Sequence, residues 1–422
     1  MTSSDLLARD GRHVWHPYTR ATAPVPLAIA SASGAYLHTT DGRAILDAIS
    51  SWWVTLHGHA HPAIAAAIGA QAQTLEHVIF AGCTHAPAVE LAERLARLAP
   101  TGVERVFYSD DGSTAVEVAL KIALQYWRIA GEHRNLVVAL EHAYHGDTFG
   151  AMSVSARGVF TAPFGPLLFD VARIPDPSSG DTLAELDELL AREGDRCAAL
   201  ILEPMLMGAG GMRMYDAATL AAIVRRAAHG NVLVIADEVL TGFGRTGPLF
   251  ASEHAQLAPD LLCLSKGLTG GFLPLGATLV AERVADAFDG APPYGTLYHG
   301  HSYTANPIAC AAALASLDLL DATCASRRES IAAAHREGLA RVATHPRVHD
   351  PRSLGTVAAF DLEGDVGYLS NAAAGLALFA LEHGILVRPL GNVVYLLPPY
   401  CTTPREIAQA FDVIAAWLED AC

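Results

Sequence analysis

The chain has 422 residues, which suggests two or three domains and is enough to bury a large core. Hydrophobic residues make up 51% and charged residues 17%, and the net charge of −16 argues against nucleic acid or an anionic membrane as the main partner. No predominantly apolar run approaches the ~20 residues of a membrane span. We also expect no secretory signal, because the first residues lack a basic region followed by an apolar one.

The cysteines are scattered, odd in number and without a CxxC pair, which argues against a disulfide framework or a zinc site. The sequence therefore favours a reducing, cytoplasmic location. The seven cysteines are Cys83, Cys197, Cys263, Cys310, Cys324, Cys401 and Cys422.

Short, continuous apolar runs recur through the first three quarters of the chain and predict strands that are buried on both faces. These runs are 106–108, 136–140, 198–202, 232–236, 261–264 and 276–281. Helical patterns lie between some of them, at 113–130, 182–192 and 217–229. Alternation of strands and helices predicts an α/β fold with a mainly parallel sheet. Residues 141–197 are too long for one crossover, so we expect extra loops there.

The pattern of predicted elements changes after about residue 315. A helix-like segment is followed there by an arginine-rich stretch and then by separated strand patterns. The last helix opens with Thr403, Pro404 and Glu406 in the register of a capping box. We predict a smaller α+β domain over 315–422, a large domain over 61–314, and an N-terminal segment, 1–60, that packs against the small domain. The strand patterns in the small domain are 357–361, 385–388 and 393–397.

Polar side chains follow four of the predicted strands. Asp237 and Glu238 end one strand, Lys266 follows the next, and Glu203 and the segment 109–113 end two others. Ligands of open α/β sheets bind at the carboxyl ends of the strands. An acid and a lysine at neighbouring strand ends are what pyridoxal phosphate (PLP) chemistry needs, because the lysine forms a Schiff base and the acid keeps the ring nitrogen protonated.

Gly112, Ser113 and Thr114 stand where a predicted strand turns into a helix. Free N–H groups and the helix dipole make such a turn a phosphate site. An ordinary Ser/Thr helix cap is the alternative that the sequence leaves open.

Three other motifs resemble known functional patterns, but none of them is predicted to form a catalytic, nucleotide or metal site. Gly242–Gly247 matches GxGxxG, but it lies past the strand end and is followed by Pro248, so we reject a dinucleotide site. The alternating histidines at 57–61 and 299–301 lack neighbouring acidic or cysteine ligands in sequence, and we predict no metal site. Ser153 and Ser155 belong to no GxSxG elbow, which gives a serine hydrolase little support.

The segment 236–247, followed by Ser265-Lys266-Gly267, resembles the signature of the class III, fold type I, PLP-dependent aminotransferases. The resemblance runs from about residue 12 to 420. It implies a fold type I transferase: a mainly parallel large-domain sheet flanked by helices, plus a smaller α+β domain. It also implies PLP as cofactor and a homodimer with active sites at the interface.

The resemblance implies catalytic roles for Lys266, which forms the Schiff base and shuttles the proton, and for Asp237, which pairs with the ring nitrogen. It implies that Tyr144 stacks on the cofactor ring and that Gly112 and Ser113 bind the phosphate. His301 and Ser302 are expected to reach the phosphate of the neighbouring subunit. The residues implied in the substrate pocket are Tyr18, Trp52, Tyr144, Lys266, Gly300 and Arg388, with the Arg388 fork holding a carboxylate.

Within the family the chain is most similar to members that convert 8-amino-7-oxononanoate to 7,8-diaminononanoate in biotin biosynthesis. The segments that carry this narrower resemblance are 16–18, 51–53, 144–147, 208–215, 388–389 and 395–400. S-adenosylmethionine is the usual amino donor there, and some relatives use lysine. The chain departs from the usual pattern at His301-Ser302, where Pro-Thr is common, and at Met207, where glutamine is common.

Alternatives of other kinds stay open at the level of sequence. A class III transaminase for an ω-amine or ornithine-like donor is disfavoured by the Trp52-Trp53 pair. It is also disfavoured by the lack of an acidic residue in 205–211, where ornithine and GABA relatives carry one. An aminomutase on the same scaffold would need no separate acceptor. A PLP-binding scaffold without turnover is the third alternative.

Overall fold

The computed structural model describes residues 3–19, 25–178, 180–290 and 293–420. Cys422 and parts of the predicted N-terminal segment 1–60 lie outside the described residues. The six cysteines that are described are all free thiols.

The strands, in chain order, are β1 Ile29–Ser33, β2 Tyr36–Thr39, β3 Ala44–Asp47, β4 Val103–Ser109, β5 Leu136–Leu140, β6 Val171–Ile174, β7 Cys197–Leu202, β8 Leu206–Met207, β9 Arg213–Met214, β10 Leu233–Asp237, β11 Leu261–Leu264, β12 Gly276–Ala281, β13 Val348–Leu354, β14 Val357–Leu362, β15 Ile385–Leu386 and β16 Val393–Leu396. The helices are α1 Ser3–His13, α2 Ser50–Trp53, α3 Pro62–Thr74, α4 Ala86–Leu98, α5 Gly112–Ile129, α6 Phe149–Val154, α7 Thr182–Glu193, α8 Ala217–His229, α9 Glu282–Asp286, α10 Pro307–Asp318, α11 Ala322–Val342, α12 Leu376–Glu382 and α13 Pro404–Asp420.

A seven-stranded sheet forms the centre of the molecule, in the order β4-β12-β11-β10-β7-β5-β6. Every neighbouring pair from β11 to β6 is parallel, and β12 is antiparallel to both of its neighbours. The connection between β11 and β12 contains only a short 3-10 turn, which is too little for the crossover that a parallel pair requires. The prediction of a mainly parallel sheet flanked by helices is confirmed.

The five inner strands of this sheet, β5, β7, β10, β11 and β12, are fully buried, as their continuous apolar sequences predict. The edge strands β4 and β6 are only partly buried. Helix α5 follows β4 and begins at a capping box, in which the Asp111 side chain accepts from the Thr114 N–H at 2.8 Å. Eight residues of α5 are buried, so the helix packs one face on the sheet. The region 141–197 contains α6, a 3-10 turn, the edge strand β6 and α7, which confirms that it is more than one crossover.

Two smaller sheets join distant parts of the chain. Strands β13, β14 and β16 form an antiparallel sheet near the C-terminus, and β15 pairs with β3 in parallel, which ties residues 385–386 to residues 46–47. The predicted capping box of α13 is present, since the Thr403 N–H donates to Glu406 at 2.7 Å and the Glu406 N–H donates back to the Thr403 hydroxyl. The division at residues 60 and 314 stays a prediction.

No single helix of the described chain is long and apolar enough to cross a membrane. The pair α10 and α11, bent by 73° between its members, passes that test of length and composition only when taken together.

Candidate active site

The predicted acid and lysine lie at neighbouring strand ends of the central sheet. Asp237 is the last residue of β10 and stands in register with Cys263 of β11, and Lys266 begins the 3-10 turn that follows β11. Lys266 has a φ of 29°, in the left-handed region that non-glycine residues rarely occupy. Both side chains line one cavity of about 780 Å³. The sheet therefore brings together the two residues on which the PLP interpretation depends.

Asp237 is held by two hydrogen bonds. The His145 Nδ1 lies 2.7 Å from the Asp237 Oδ2, and the Val239 N–H donates to the other carboxylate oxygen at 3.1 Å. A carboxylate only accepts, so His145 carries its proton on Nδ1. The backbone of His145 is held as well, since its N–H donates to the Ser155 hydroxyl at 2.8 Å. The carboxylate thus enters the cavity with a fixed orientation.

A second buried carboxyl stands beside this pair. Glu203, which follows β7, accepts hydrogen bonds from the backbone N–H groups of Tyr144 and Gly208, at 3.1 and 2.9 Å. Burial raises the pKa of Glu203 to about 7; the nearby His145 lowers it and Asp237 raises it. Burial therefore favours the protonated form of Glu203 in the wall of the cavity.

The Lys266 amine lies in an environment that disfavours its charged form. Burial lowers the pKa of Lys266, while the charges of Asp237 and Glu203 act in the opposite direction. Its Nζ lies 5.0 Å from the centre of the Trp53 ring. A lysine with a lowered pKa is a better nucleophile and base at neutral pH, because more of it is unprotonated.

An anion cradle is built at the start of α5. The Ser113 hydroxyl lies 2.8 Å from the Thr148 hydroxyl and accepts from the Thr148 N–H at 3.0 Å. A Cβ on Gly146, whose φ is +129°, would lie 2.3 Å from the Ser113 Oγ, and a Cβ on Gly112 would lie 2.5 Å from Val239. Only glycine allows these close approaches, so the free N–H groups of the helix lie directly on the cavity.

Aromatic side chains form the opposite wall. Tyr144 lines the cavity, and its hydroxyl lies 3.4 Å from that of Tyr18, which in turn donates to Asp147. The Tyr18 ring makes edge contacts with Trp52 and with Phe160, with centroids 5.4 and 5.6 Å apart. Tyr18, Trp52 and Tyr144 therefore lie around one cavity.

Arg388 completes this wall from the C-terminal part of the chain. Its guanidinium lies 4.1 Å from the centre of the Trp52 ring, which is a cation–π contact. Within the described residues Arg388 forms no ion pair. We predicted a strand over 385–388, but β15 ends at Leu386, so the arginine lies just beyond the strand and faces the cavity.

Three predicted residues lie elsewhere. Gly300, His301 and Ser302 do not line this cavity; Ser302 is exposed, and the His301 Nε2 lies 3.4 Å from the Asp110 carboxylate of the same chain. Their roles remain predictions that require a second copy of the chain.

The sequence left several cavity residues without a role. Glu203 is predicted at the site only as a strand-end acid, His145 stands only within the segment 144–147, and Val239 only within the segment 236–247. Phe160 and Tyr368 belong to no predicted motif. The signal for His145 was its position next to Tyr144 in a motif loop. The signal for Val239 was its place two residues after a strand-end acid. Phe160 and Tyr368 meet only in three dimensions, with ring centroids 4.6 Å apart.

The remaining motifs have structural contacts. Residues 242–246 form buried turns and Gly247 an exposed bend, rather than the start of a helix, and Arg245 there donates to the Pro398 carbonyl at 2.9 Å. His57 contacts the Ser316 hydroxyl at 3.1 Å, and His59 contacts Asp47 at 2.9 Å. Across the described ranges, no group of three or more His, Cys, Asp or Glu side chains is arranged to hold a metal ion.

A larger cavity of about 1050 Å³ adjoins the first and shares Tyr144, Phe160 and Tyr368 with it. It contains neither Lys266 nor Asp237. The chemistry therefore belongs to the smaller cavity, and the three aromatic residues line both spaces.

Comparison with known proteins agrees with this geometry. The profile of the aminotransferase class-III family matches residues 18–418. The adenosylmethionine-8-amino-7-oxononanoate aminotransferase of Synechococcus elongatus is 51% identical over 97% of this chain and 99% of its own length. The namesake from Nitratidesulfovibrio vulgaris is 41% identical over 95% of this chain and 79% of its own.

Solved structures share the fold over nearly the whole chain. The enzyme of the same name from Methanocaldococcus jannaschii has a TM-score of 0.95 and 35% identity, covering 99% of each chain. An amine transaminase from an uncultivated Pseudomonas species, solved in its PLP-bound form, has a TM-score of 0.91 and 34% identity, covering 97% of this chain and 99% of that one. With its strand-end acid and lysine in one cavity, this chain belongs to the class III aminotransferases.

Proposed function

We propose that the protein transfers an amino group to 8-amino-7-oxononanoate to give 7,8-diaminononanoate, with PLP as cofactor and S-adenosylmethionine as donor. The observation that carries the proposal is the convergence of Lys266, Asp237 and Arg388 on one cavity. These residues provide a nucleophilic amine, an acid for the cofactor ring and a free guanidinium for a carboxylate. The names of the relatives support the substrate.

The residues of the cavity fit PLP. Gly112 and Ser113 would hold its phosphate at the start of α5, Tyr144 and Val239 would contact its ring, and Asp237 would hold a proton at its ring nitrogen. When bound, PLP supplies an electron sink for the carbon from which a proton is removed. The close approach of Gly146 to Ser113 gives this cradle its shape.

Lys266 would move the proton. Its lowered pKa leaves more of the Nζ unprotonated, so that this atom can take a proton from the donor carbon and return it. Donor and keto acid use the same cavity in turn, so the kinetics should be ping-pong. The buried His145–Asp237 pair keeps the acid oriented through both halves of the cycle.

Arg388 would bind the keto acid. A guanidinium offers two parallel N–H donors to a carboxylate. Its contact with the Trp52 ring holds the Arg388 guanidinium against this wall of the cavity. The apolar wall of Trp52, Trp53 and Leu390 suits the alkyl chain between the carboxylate and the reacting carbonyl.

A second candidate is transamination of a simple ω-amine, which the similarity to the Pseudomonas amine transaminase favours. Lysine as donor to the same keto acid is the other alternative. The three possibilities differ in which amine converts the cofactor and in whether the keto acid is consumed.

The test uses the purified holoenzyme with S-adenosylmethionine, lysine or an ω-amine offered separately, each half-reaction being followed by absorbance. We expect S-adenosylmethionine to complete the first half, and the keto acid then to yield 7,8-diaminononanoate by mass spectrometry. Arg388→Ala should raise KM for the keto acid by roughly tenfold or more while largely preserving kcat. Arg213→Ala, in the adjoining cavity, is the matched control and should leave both constants near wild type.

Conversion by an ω-amine alone, with no consumption of the keto acid, would overturn the proposed substrate. An equal rise in KM for both substrates in Arg388→Ala would argue against a clamp for the keto acid. Production of a rearranged amine from one substrate alone would indicate an aminomutase.

We also propose a homodimer in which Gly300, His301 and Ser302 complete the neighbouring site. Two exposed aromatic side chains flank this segment, since Tyr298 is 81% and Tyr303 is 62% exposed. Exposed apolar surface of this kind favours a protein contact. Sedimentation equilibrium tests the dimer, and a monomeric active holoenzyme would contradict it. We also propose a reducing, cytoplasmic location, which the six free thiols of the described residues support. Thiol titration of the native protein checks that these cysteines are unpaired.

A further inference from the structure

The wall of the candidate active site is carried by an unusual backbone segment. All four residues of α2, Ser50 to Trp53, have positive φ values of 51°, 43°, 69° and 77°, so the turn is left-handed. A left-handed turn of non-glycine residues is strained, because each Cβ lies too close to the following carbonyl oxygen. Such a turn persists only where surrounding contacts hold it.

One buried carboxylate accepts the hydrogen bonds that hold the start of this turn. Asp47, at the end of β3, accepts from the Ser51 hydroxyl at 2.7 Å and from the Ile49 N–H at 3.2 Å. The His59 Nε2 donates to the same oxygen as Ser51, at 2.9 Å. Asp47 is wholly buried and the His59 side chain is 13% exposed. Although burial opposes ionisation, the bonds from His59 and Ser51 lower the pKa of Asp47.

The last two residues of the turn, Trp52 and Trp53, carry aromatic rings that line the cavity. The Trp52 ring lies under the Arg388 guanidinium at 4.1 Å, and the Trp53 ring lies 5.0 Å from the Lys266 amine. A shift of the turn therefore displaces a surface against which both charged groups are placed.

We infer that the Asp47–His59 pair is a positioning unit for the substrate wall, the side of the cavity that Trp52, Trp53 and Arg388 form. The pair holds the left-handed turn so that Trp52 orients the Arg388 clamp. His59 thus acts on substrate affinity through Asp47 and Ser51, without lining the cavity. The inference rests on the proposed function for the identity of the substrate, but not for the geometry of the turn.

Other contacts keep the turn folded when His59 is changed. The Ser50 hydroxyl donates to the Leu397 carbonyl at 2.7 Å, and the Trp53 indole N–H donates to the Tyr395 hydroxyl at 3.0 Å. Loss of the imidazole should therefore loosen the position of Trp52 rather than unfold the segment.

The experiment compares His59→Leu with His59→Gln, because a glutamine amide can replace the Nε2 donor. In the holoenzyme, His59→Leu should raise KM for the keto acid roughly tenfold, the value of one hydrogen bond to a charged group, with kcat within about threefold. His59→Gln should restore KM to near wild type. In the apoprotein, the near-UV circular dichroism of the tryptophans should change in His59→Leu and return in His59→Gln.

His57→Leu is the matched control, since His57 is buried two residues away and its Nε2 contacts Ser316 rather than Asp47. It should change neither KM nor the tryptophan signal, whatever its effect on the unfolding midpoint. The inference is overturned if His59→Leu lowers only the midpoint, or if His57→Leu raises KM equally. If the wild-type protein does not use the keto acid, the proposed function fails, and the circular dichroism of the apoprotein decides the inference by itself.

Discussion

Two histidines are hidden from solvent to a similar degree but lie in very different surroundings. His145 is 3% exposed, and its Nδ1 holds the Asp237 carboxylate at the carboxyl edge of the central sheet. His335 is 0% exposed in α11 and, within the described structure, neither of its ring nitrogens has a hydrogen-bond partner. Its nearest aromatic neighbour is Phe411 of α13, with ring centroids 6.3 Å apart.

The difference teaches that burial alone does not mark a functional imidazole. His145 has a buried polar partner, the Asp237 carboxylate. In a site without water, the hydrogen bond between the two fixes the orientation of the carboxylate. Around His335 the same burial only removes water from two polar atoms, which destabilises the fold. Burial lowers the pKa of His335 to about 3, so this ring stays neutral in the folded protein.

The largest effect is expected at the acid that His145 holds. Asp237→Asn should lower kcat by about 10²–10⁴-fold, because an amide does not hold a proton at the ring nitrogen as a carboxylate does. Cofactor binding, measured by PLP titration, should be largely retained. Glu238→Gln is the matched control. This neighbouring acid accepts from the Ala251 and Ser252 N–H groups, so the change should lower stability and spare kcat. A wild-type rate in Asp237→Asn would show that the partner of the ring is misassigned.

The second largest effect is expected when the His145 imidazole, which holds Asp237, is removed. His145→Leu removes the donor to Asp237 and should lower kcat roughly tenfold or more, as expected for a bond to a charged group. In His145→Asn the side-chain amide can take the place of Nδ1, and most of the rate should return. Steady-state kinetics across pH distinguish this positioning role from simple packing. Equal losses in both variants, with an unchanged pH profile, would mean that His145 only fills space.

The smallest effect is a gain in stability. His335→Leu should raise the free energy of unfolding at neutral pH by about 1–2 kcal/mol, because it removes two unsatisfied polar atoms. Below about pH 6.5 the unfolded chain protonates His335 while the folded chain does not until about pH 3, so wild-type stability falls as pH falls through that window. The variant should lack this part of the loss.

Urea unfolding at several pH values measures this gain, and kcat should not change. His349→Leu, at an exposed position of β13, is the matched control and should show no gain. A loss of stability in His335→Leu would reveal that the imidazole has a partner, such as a bound water, that replaces the missing bonds.

Much of the central fold could be predicted because its signals are local. The runs 136–140, 261–264 and 276–281 are strands with the predicted bounds, and α8 spans 217–229 as expected. Strand ends that carry an acid and a lysine pointed to the cavity before any contact was known. The direction of β12 and the edge strand β6 were not predicted. The short connection between β11 and β12 already indicates an antiparallel pair, whereas the half-buried β6 leaves no continuous apolar run.

Less of the substrate wall could be predicted from the sequence. Trp52 and Arg388 were identified only through a family resemblance, because the residues are far apart in the chain and meet through the Ser50–Trp53 turn. The left-handed conformation of that turn is invisible in Ser-Ser-Trp-Trp, which contains no glycine. Asp47, which holds it, had no sequence signal beyond its place at the end of a short strand. The roles of Gly300, His301 and Ser302 stay predictions.

The sequence by itself determined where the chemistry is, because a buried strand that ends in Asp237 and another followed by Lys266 need only local periodicity to be placed at one sheet edge. Only the tertiary structure decided how the site is held. The contacts of His145 with Asp237, of His59 with Asp47 and of Arg388 with Trp52 join segments that are distant in sequence. Hydrogen bonds and ring contacts depend on distances of a few ångströms, and those distances are set only when the segments pack together.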